Sequence, residues 1–284
     1  MAPSVIDSIA GLREAVAAWR NDGLTVALVP TMGALHEGHM ALVRAAHARG
    51  GRTVVSLFVN PTQFAPDEDF ALYPRQQADD LAKLAEAGVE AAFMPPTKAI
   101  YPPGFATTVR VEGVTAGLEG ASRPHFFDGV ATVVTKLLLQ CLPDVALFGE
   151  KDYQQLATVR RLVADLDIPC RIEVVPTVRA ADGLALSSRN AYLSADERRV
   201  APKLFEVLSW MAATLGEGTA SADSIAQGTA ALRDAGFARI DYLAVCDAET
   251  LEPVARVDGP ARVLAAVWLG ETRLIDNVPV SPAS

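Results

Sequence analysis

Short apolar runs alternate with helical stripes along the first 177 residues. Ile9, Leu12, Val16 and Trp19 recur at three- and four-residue spacing, which predicts an amphipathic helix near the start. Residues 24–29 and 53–59 are short apolar runs, the pattern of strands covered on both faces. Between them Leu42, Val43 and Ala46 fall at helical spacing. Residues 76–87 predict a helix with Leu81 and Leu84 inward and Gly88 at its C-terminal cap. A strand at 89–94 follows, then an internal helix over 130–142 with Val130, Val133, Val134, Leu137, Leu138 and Cys141 on one broad face. A strand at 144–148, a helix at 153–166 and a strand at 172–175 complete the series. Alternation of this kind predicts an α/β fold, a Rossmann-like and mainly parallel sheet with helices on both faces.

Beyond residue 177 the pattern changes. ADGLALSSRNAYLS (181–194) is polar and contains glycine, and helical stretches at 195–215 and 221–235 follow it, separated by 216–219. Strand-like runs lie at 240–245, 262–269 and 272–275. The expected organisation is a Rossmann-like domain over 1–177 and a smaller α+β domain over 178–284 that closes over the first. The final VPVSPAS is expected to be a loose tail.

The densest chemistry lies at residues 30–39, PTMGALHEGH, where a predicted strand passes into a predicted helix. Backbone N–H groups and the positive helix end converge at such a junction and attract phosphate. Gly33 and Gly38 remove side chains where backbone must come close to a ligand. His36 and His39 can donate hydrogen bonds to phosphate oxygens and can carry a proton near neutral pH. The combination points to a grip on a nucleotide triphosphate. A zinc-binding HExxH helix would need histidine at position 40, where Met40 stands. The dinucleotide turn GxGxxG is absent from the chain. Ordinary turn chemistry with incidental histidines stays open for this segment taken alone.

Half of the 284 residues are hydrophobic and 21% are charged, enough for a full core. A formal net charge of −9 argues against non-specific nucleic-acid binding but not against a local basic pocket. Cys141, Cys170 and Cys246 are far apart in apolar contexts and read as reduced, buried thiols, with neither a disulfide frame nor a protein-built metal site. The N-terminus has scattered charges and no secretory pattern, and Lys136 and Gln140 interrupt the longest apolar candidate for a membrane span. A cytoplasmic protein is expected.

Further segments sit at predicted strand ends. FVNPTQF (58–64) carries Asn60 and Gln63, whose amides bind hydroxyls and carboxylates without adding charge; an ordinary Asn-Pro turn is the plain alternative. GEKD (149–152) places Lys151 where a helix begins, with Asp152 as cap; a capped helix bearing a surface lysine competes. Gln155 lies one turn further on. LSSR (186–189) offers two hydroxyls and a guanidinium to a triphosphate tail, against the alternative of a solvated loop.

Taken together, these segments resemble the pantoate–β-alanine ligases, a family of the HxGH nucleotidyltransferase superfamily related to class I aminoacyl-tRNA synthetases. The resemblance runs nearly end to end, through PTMGALHEGH, FVNPTQF, YPR (73–75), GVATVVTKL (129–137), LFGEKDYQQL (147–156), VPTVR (175–179), DGLALSSRN (182–190) and RLIDN (273–277). The family usually reads RPGHF where this chain has RPHFF, so Phe126 stands at the usual histidine position and no ligand role is carried over to His125. Leu186 replaces a frequent methionine and preserves volume.

The resemblance implies a two-step reaction. The carboxylate of (R)-pantoate attacks the α-phosphorus of ATP, and β-alanine then captures the pantoyl adenylate to give pantothenate and AMP. By the same resemblance His39, helped by His36, serves the charge developing on the α-phosphate and the departing pyrophosphate. Met32, Gly33, Ala34, Leu35, Glu37 and Gly38 complete the ATP cradle. Gly149, Glu150, Lys151 and Asp152 join it, with Gly149 and Val178 lining the adenosine site. Leu186, Ser187, Ser188 and Arg189 hold the β- and γ-phosphates. Gln63 and Gln155 are expected to bind pantoate, Gln63 also β-alanine, with Asn60 a weaker member. Mg²⁺ is expected on the phosphates. Asp79 and Asp80 could assist it, although a solvated acidic helix face is the favoured reading for that pair. Asp67, Glu68 and Asp69 read as a loop tip in a lid. A homodimer is implied, with no nucleic acid or membrane as partner. Two rivals remain: an adenylyltransferase of the same fold acting on a phosphorylated acceptor, and a non-catalytic nucleotide-binding protein.

Overall fold

The structure, a computed structural model, describes residues 2–64, 70, 73 and 75–282. These form two compact units. The first comprises Met1–Val111, Arg123–Glu150 and Gln155–Pro176; the second comprises Glu112–Ser122, Lys151–Gln154 and Thr177–Ser284.

Chain order begins β1 (Ser4–Ile6), α1 (Ile9–Asn21), β2 (Val26–Thr31), α2 (Glu37–His47), β3 (Arg52–Leu57), α3 (Gln77–Glu86), β4 (Ala91–Phe93) and the single turn α4 (Thr97–Ile100). The short α5 (Glu119–Ser122) precedes α6 (Phe126–Cys141), β5 (Val145–Gly149), α7 (Tyr153–Asp165) and β6 (Arg171–Val175). All six strands pair in parallel, in the order β1-β4-β3-β2-β5-β6. The all-apolar strands follow from burial on both faces. Ala27 and Val29 of β2 pack with Leu42, Val43 and Ala46 of α2 and with Val55, Leu84 and Val145. Val26 and Leu28 alternate with them and are equally buried, on the side where α1 and α6 meet β2. The predicted α/β sheet is therefore present. The strand β1 had no local signal, because it is three residues long, largely exposed and, among the described residues, paired with β4 at the sheet edge.

The second unit carries α8 (Ala195–Val200), α9 (Lys203–Gly216), α10 (Ser221–Asp234), β7 (Arg239–Asp247), β8 (Ala261–Leu269) and β9 (Thr272–Val280). The three strands form an antiparallel sheet, β7-β8-β9, against which α9 and α10 pack. Leu204, Leu208, Met211 and Leu215 of α9 join Phe237, Val263, Ala265 and Val267 in its core. Two expectations are corrected here. The helix predicted over 195–215 is two helices, because Pro202 has no N–H to continue α8 and starts α9 instead. The VPV of the expected tail belongs to β9: Val278 pairs with Val263, Val280 pairs with Ala261, and Pro279 is tolerated on an edge strand. No helix among the described residues is long and apolar enough to cross a membrane.

Candidate active site

The winding of the parallel sheet reverses between β2 and β5, which are neighbours. Open sheets bind ligands beyond the carboxyl ends of strands at such a switch point. There β2 feeds the loop into HEGH and β5 feeds GEKD.

In the first loop Gly33 (φ +81°) and Ala34 (φ +51°) turn the chain through the left-handed region. Asp80 of α3 holds that turn. Its Oδ2 accepts from the Ala34 N–H at 2.9 Å and its Oδ1 from the Leu35 N–H at 2.7 Å, while the Lys83 ammonium donates to the Leu35 carbonyl at 2.6 Å. A Cβ on residue 33 would lie only 3.0 Å from Asp80 Oδ2, so the glycine serves both backbone angle and space. The expected solvated acidic face is thus wrong for Asp80, which is buried; Asp79 alone is exposed.

His36 caps α2. Its Nδ1 accepts from the Gly38 N–H at 3.1 Å, and His39 Nδ1 accepts from the His36 N–H at 3.3 Å. This is a capping box with imidazoles in place of the usual hydroxyl and carboxylate. The rings lie 4.1 Å apart between centroids. The bonds assign the tautomers: a neutral ring that accepts at Nδ1 carries its proton on Nε2. The N–H groups of Gly33, Ala34, Leu35, His36 and Gly38 all bond within the loop, to α3, or to Thr31. The expectation that this junction grips phosphate through its backbone is corrected for those five groups.

FVNPTQF ends in a 3-10 turn, Pro61–Gln63. Asn60 Oδ1 accepts from the Thr62 N–H, the Thr62 hydroxyl and the Tyr101 hydroxyl, and Nδ2 donates to Gly129 O at 3.2 Å and to Gln63 Oε1 at 2.9 Å. An amide used at every position and 1% exposed has nothing left for a substrate, which corrects the binding role expected of Asn60. It orients Gln63 instead, committing that carbonyl and leaving donor chemistry on Nε2. Arg123 donates to the Gln63 backbone carbonyl at 2.9 Å and stacks on the Phe126 ring at 4.0 Å, so Phe126 supports the Gln63 backbone indirectly. His125 is exposed at the left-handed start of α6.

Gly149 and Glu150 belong to the first unit, as do the histidines, Gln63 and the half-exposed Gln155. Lys151, Asp152, Val178 and residues 186–189 belong to the second. Lys151 lies in a 3-10 turn, Glu150–Asp152, with its ammonium 3.7 Å from Asp152 Oδ1. Its side chain is 18% exposed. Residues 178–186 form a tight hairpin, closed by the bond from Leu186 N–H to Val178 O at 2.9 Å, and lead into the 3-10 segment Ser188–Tyr192. Ser187 caps that segment by accepting from the Arg189 N–H, a bond that uses its hydroxyl oxygen and not the hydroxyl proton. LSSR is half-buried and structured, not a solvated loop. Asp67, Glu68 and Asp69 lie outside the described residues.

Residues 4–279 match the pantoate-beta-alanine ligase family. The chain belongs to that family. The pantothenate synthetase of Paramagnetospirillum magneticum is 57% identical over 278 residues, 98% of each chain. That of Rhizorhabdus wittichii is 56% identical, covering 98% of this chain and 99% of the relative. Among solved structures, the pantothenate synthetase of Thermus thermophilus superposes with a TM-score of 0.92 at 48% identity, covering 98% of this chain and all of that one. A pantoate-beta-alanine ligase from Francisella tularensis, complexed with beta-gamma ATP and beta-alanine, gives 0.81 at 33% identity, covering 98% and 97%.

Several residues of this ligase-family chain escaped the sequence reading. Gln154 accepts from the Glu119 N–H and donates to the carbonyls of Val114 and Gly117, so the first glutamine of the pair is structural and only Gln155 is half-exposed. Asp276 clasps Arg179 with two bonds, of 2.6 and 2.9 Å, and Arg179 stacks on Phe205 at 3.7 Å. Asn277 donates to the Lys151 carbonyl at 2.9 Å. RLIDN and VPTVR were visible as motifs; nothing local said that they meet.

Proposed function

We propose that this chain ligates pantoate and β-alanine to pantothenate, with ATP converted to AMP and pyrophosphate through a pantoyl adenylate. The single observation that carries the reading is the imidazole pair at the start of α2, each ring oriented by a backbone N–H bonded to its Nδ1. In the first step a pantoate carboxylate oxygen bonds to the α-phosphorus and the bond to pyrophosphate breaks. Negative charge grows on the leaving group, and His39 and His36 donate to it without reorganising. Lys151 and Arg189 add positive charge, and Ser187 and Ser188 add hydroxyl donors along the phosphates. Gly149, Glu150, Asp152, Val178 and Leu186 line the nucleotide. Gln63, oriented by Asn60, and Gln155 hold pantoate. In the second step the β-alanine nitrogen bonds to the acyl carbon, AMP leaves, and the nitrogen gives up a proton. Mg²⁺ brought in with ATP would offset charge on the phosphates, and Asp79, exposed beside the loop anchor Asp80, is the carboxylate that could assist it. The family likeness further leads us to propose a cytoplasmic homodimer, which sedimentation velocity on the purified chain tests.

The test follows AMP release from ATP and pantoate, with and without β-alanine. Pantothenate should form only with all three substrates. His39→Ala should lower kcat by about 10²–10³ with a smaller change in KM, the mark of a donor acting in the transition state. Absence of AMP with every substrate present would remove the ligase reading, and near-normal turnover by His39→Ala would remove the role of the histidine.

A further inference from the structure

Lysine is a poor positioning group by itself, because its four-carbon stem lets the ammonium wander. Its reach is set by where its backbone is held. In this chain the segment Lys151–Gln154 is held at each end by other parts of the second unit, to which it belongs. Gln154 is bonded to 114–119. The Tyr153 hydroxyl donates to Ala248 O at 2.7 Å, and its ring lies 3.8 Å from the Arg262 guanidinium. Lys151 itself is held by Asn277, whose Nδ2 donates to its carbonyl at 2.9 Å.

Asn277 is 3% exposed, and its amide is fixed from the other side: Arg262 donates to its Oδ1. Arg262 and Asn277 are diagonal neighbours on β8 and β9, since Asn277 pairs with Leu264, two residues on. The arginine that supports the Tyr153 ring therefore also decides which face of the Asn277 amide meets Lys151. The preceding residue, Asp276, clasps Arg179 beside Val178, so two adjacent positions of one strand hold both nucleotide segments of the second unit.

From this arrangement, and resting on the ligase reading above, we propose that Asn277 is a positioning residue for Lys151: it sets the backbone from which the ammonium reaches the phosphates. Asn277→Asp separates this from a merely structural role. Aspartate keeps the acceptor for Arg262 but turns the Nδ2 donor into an oxygen facing the Lys151 carbonyl. The experiment is a double-mutant cycle of Asn277→Asp, Asn277→Ala and Lys151→Ala, read both as kcat of AMP formation and as ATP affinity by calorimetry. Displacing a reacting group by about an ångström can cost up to 10²-fold, so each Asn277 variant should lose roughly ten- to a hundredfold in kcat. In the Lys151→Ala background, the same substitutions should change neither readout by more than about twofold, because coupled residues do not add. Wild-type rate in Asn277→Asp, or losses that multiply with Lys151→Ala, would overturn the proposal. A wild-type chain that binds ATP but forms no pantothenate would remove the ligase reading, and the ATP-affinity cycle would still decide the role of Asn277.

Discussion

Asp80 and Asp79 are neighbours in sequence and opposites in environment. Consecutive residues on a helix stand about 100° apart, so one carboxylate can face the HEGH loop while the next faces water. A buried carboxylate is tolerable only with hydrogen-bond partners, and Asp80 has the Ala34 and Leu35 N–H groups. Asp80→Ala strands both donors, at about 1–3 kcal/mol each. It should therefore lower the urea midpoint and raise KM for ATP together. A variant with wild-type values of both would show that the loop holds its own shape. The same limit applies to Gln154 and Gln155, and to Asn60 and Gln63. The sequence singled out Asn60, Gln63 and Gln155 near strand ends, but amide and carboxylate side chains look alike whether they serve a substrate or a backbone. Only the partners distinguish them, and those partners come from the loop after β2, α6 and the 112–119 segment.

At the scale of elements, periodicity carried most of the fold. The stripes of α1, α6 and α7 and the apolar runs of β2, β3 and β5 were legible because each buries a face against the sheet. What failed was short or punctuated: β1 has three residues, Pro202 splits a continuous apolar stripe, and β9 runs on through a proline that resembles a tail. The 178–186 hairpin is a case between the two. Its turn residues were visible, but its anchor was not. Arg179 is clasped by Asp276 with side-chain exposures of 17% and 2%. Removing one partner of such a buried pair leaves an uncompensated charge, at about 3–5 kcal/mol. Asp276→Ala should therefore destabilise the chain severely in urea, and Arg179→Lys should recover only part of the wild-type stability, since an ammonium cannot reproduce the two-pronged contact. Equal midpoints for Arg179→Lys and wild type would mean that the pair acts as a point charge and not as a fork.

Across the whole molecule, chain order and spatial order part company, and this is where a linear reading has least purchase. The second unit takes in Glu112–Ser122 and Lys151–Gln154 from within the span that alternates as a parallel α/β domain. An ion network secures the first of these segments: Arg273 bonds to both carboxylate oxygens of Glu119 and, through Nε, to Asp241, which also accepts from Trp268 Nε1. Glu119 and Arg273 are 154 positions apart, so no local spacing could announce them. Burial pushes the Asp241 carboxyl up, but the hydrogen bonds from Arg273 and Trp268 and the charge of Arg273 outweigh it, and the group titrates below its ordinary 3.8. A carboxylate depressed in the folded state binds fewer protons there than in the unfolded chain, so stability rises with pH across that window. The contribution is complete above the ordinary value and is lost as pH falls through the folded one. Asp241→Asn should be less stable than wild type at neutral pH by roughly 1.5–3 kcal/mol, the worth of hydrogen bonds to a charged group. Its urea midpoint should also fall less steeply than that of the wild type between about pH 5 and about pH 2, because one depressed carboxylate no longer titrates. Parallel midpoint curves for the two proteins would show that Asp241 titrates alike in the folded and unfolded chain, and that the acid sensitivity of the second unit lies elsewhere.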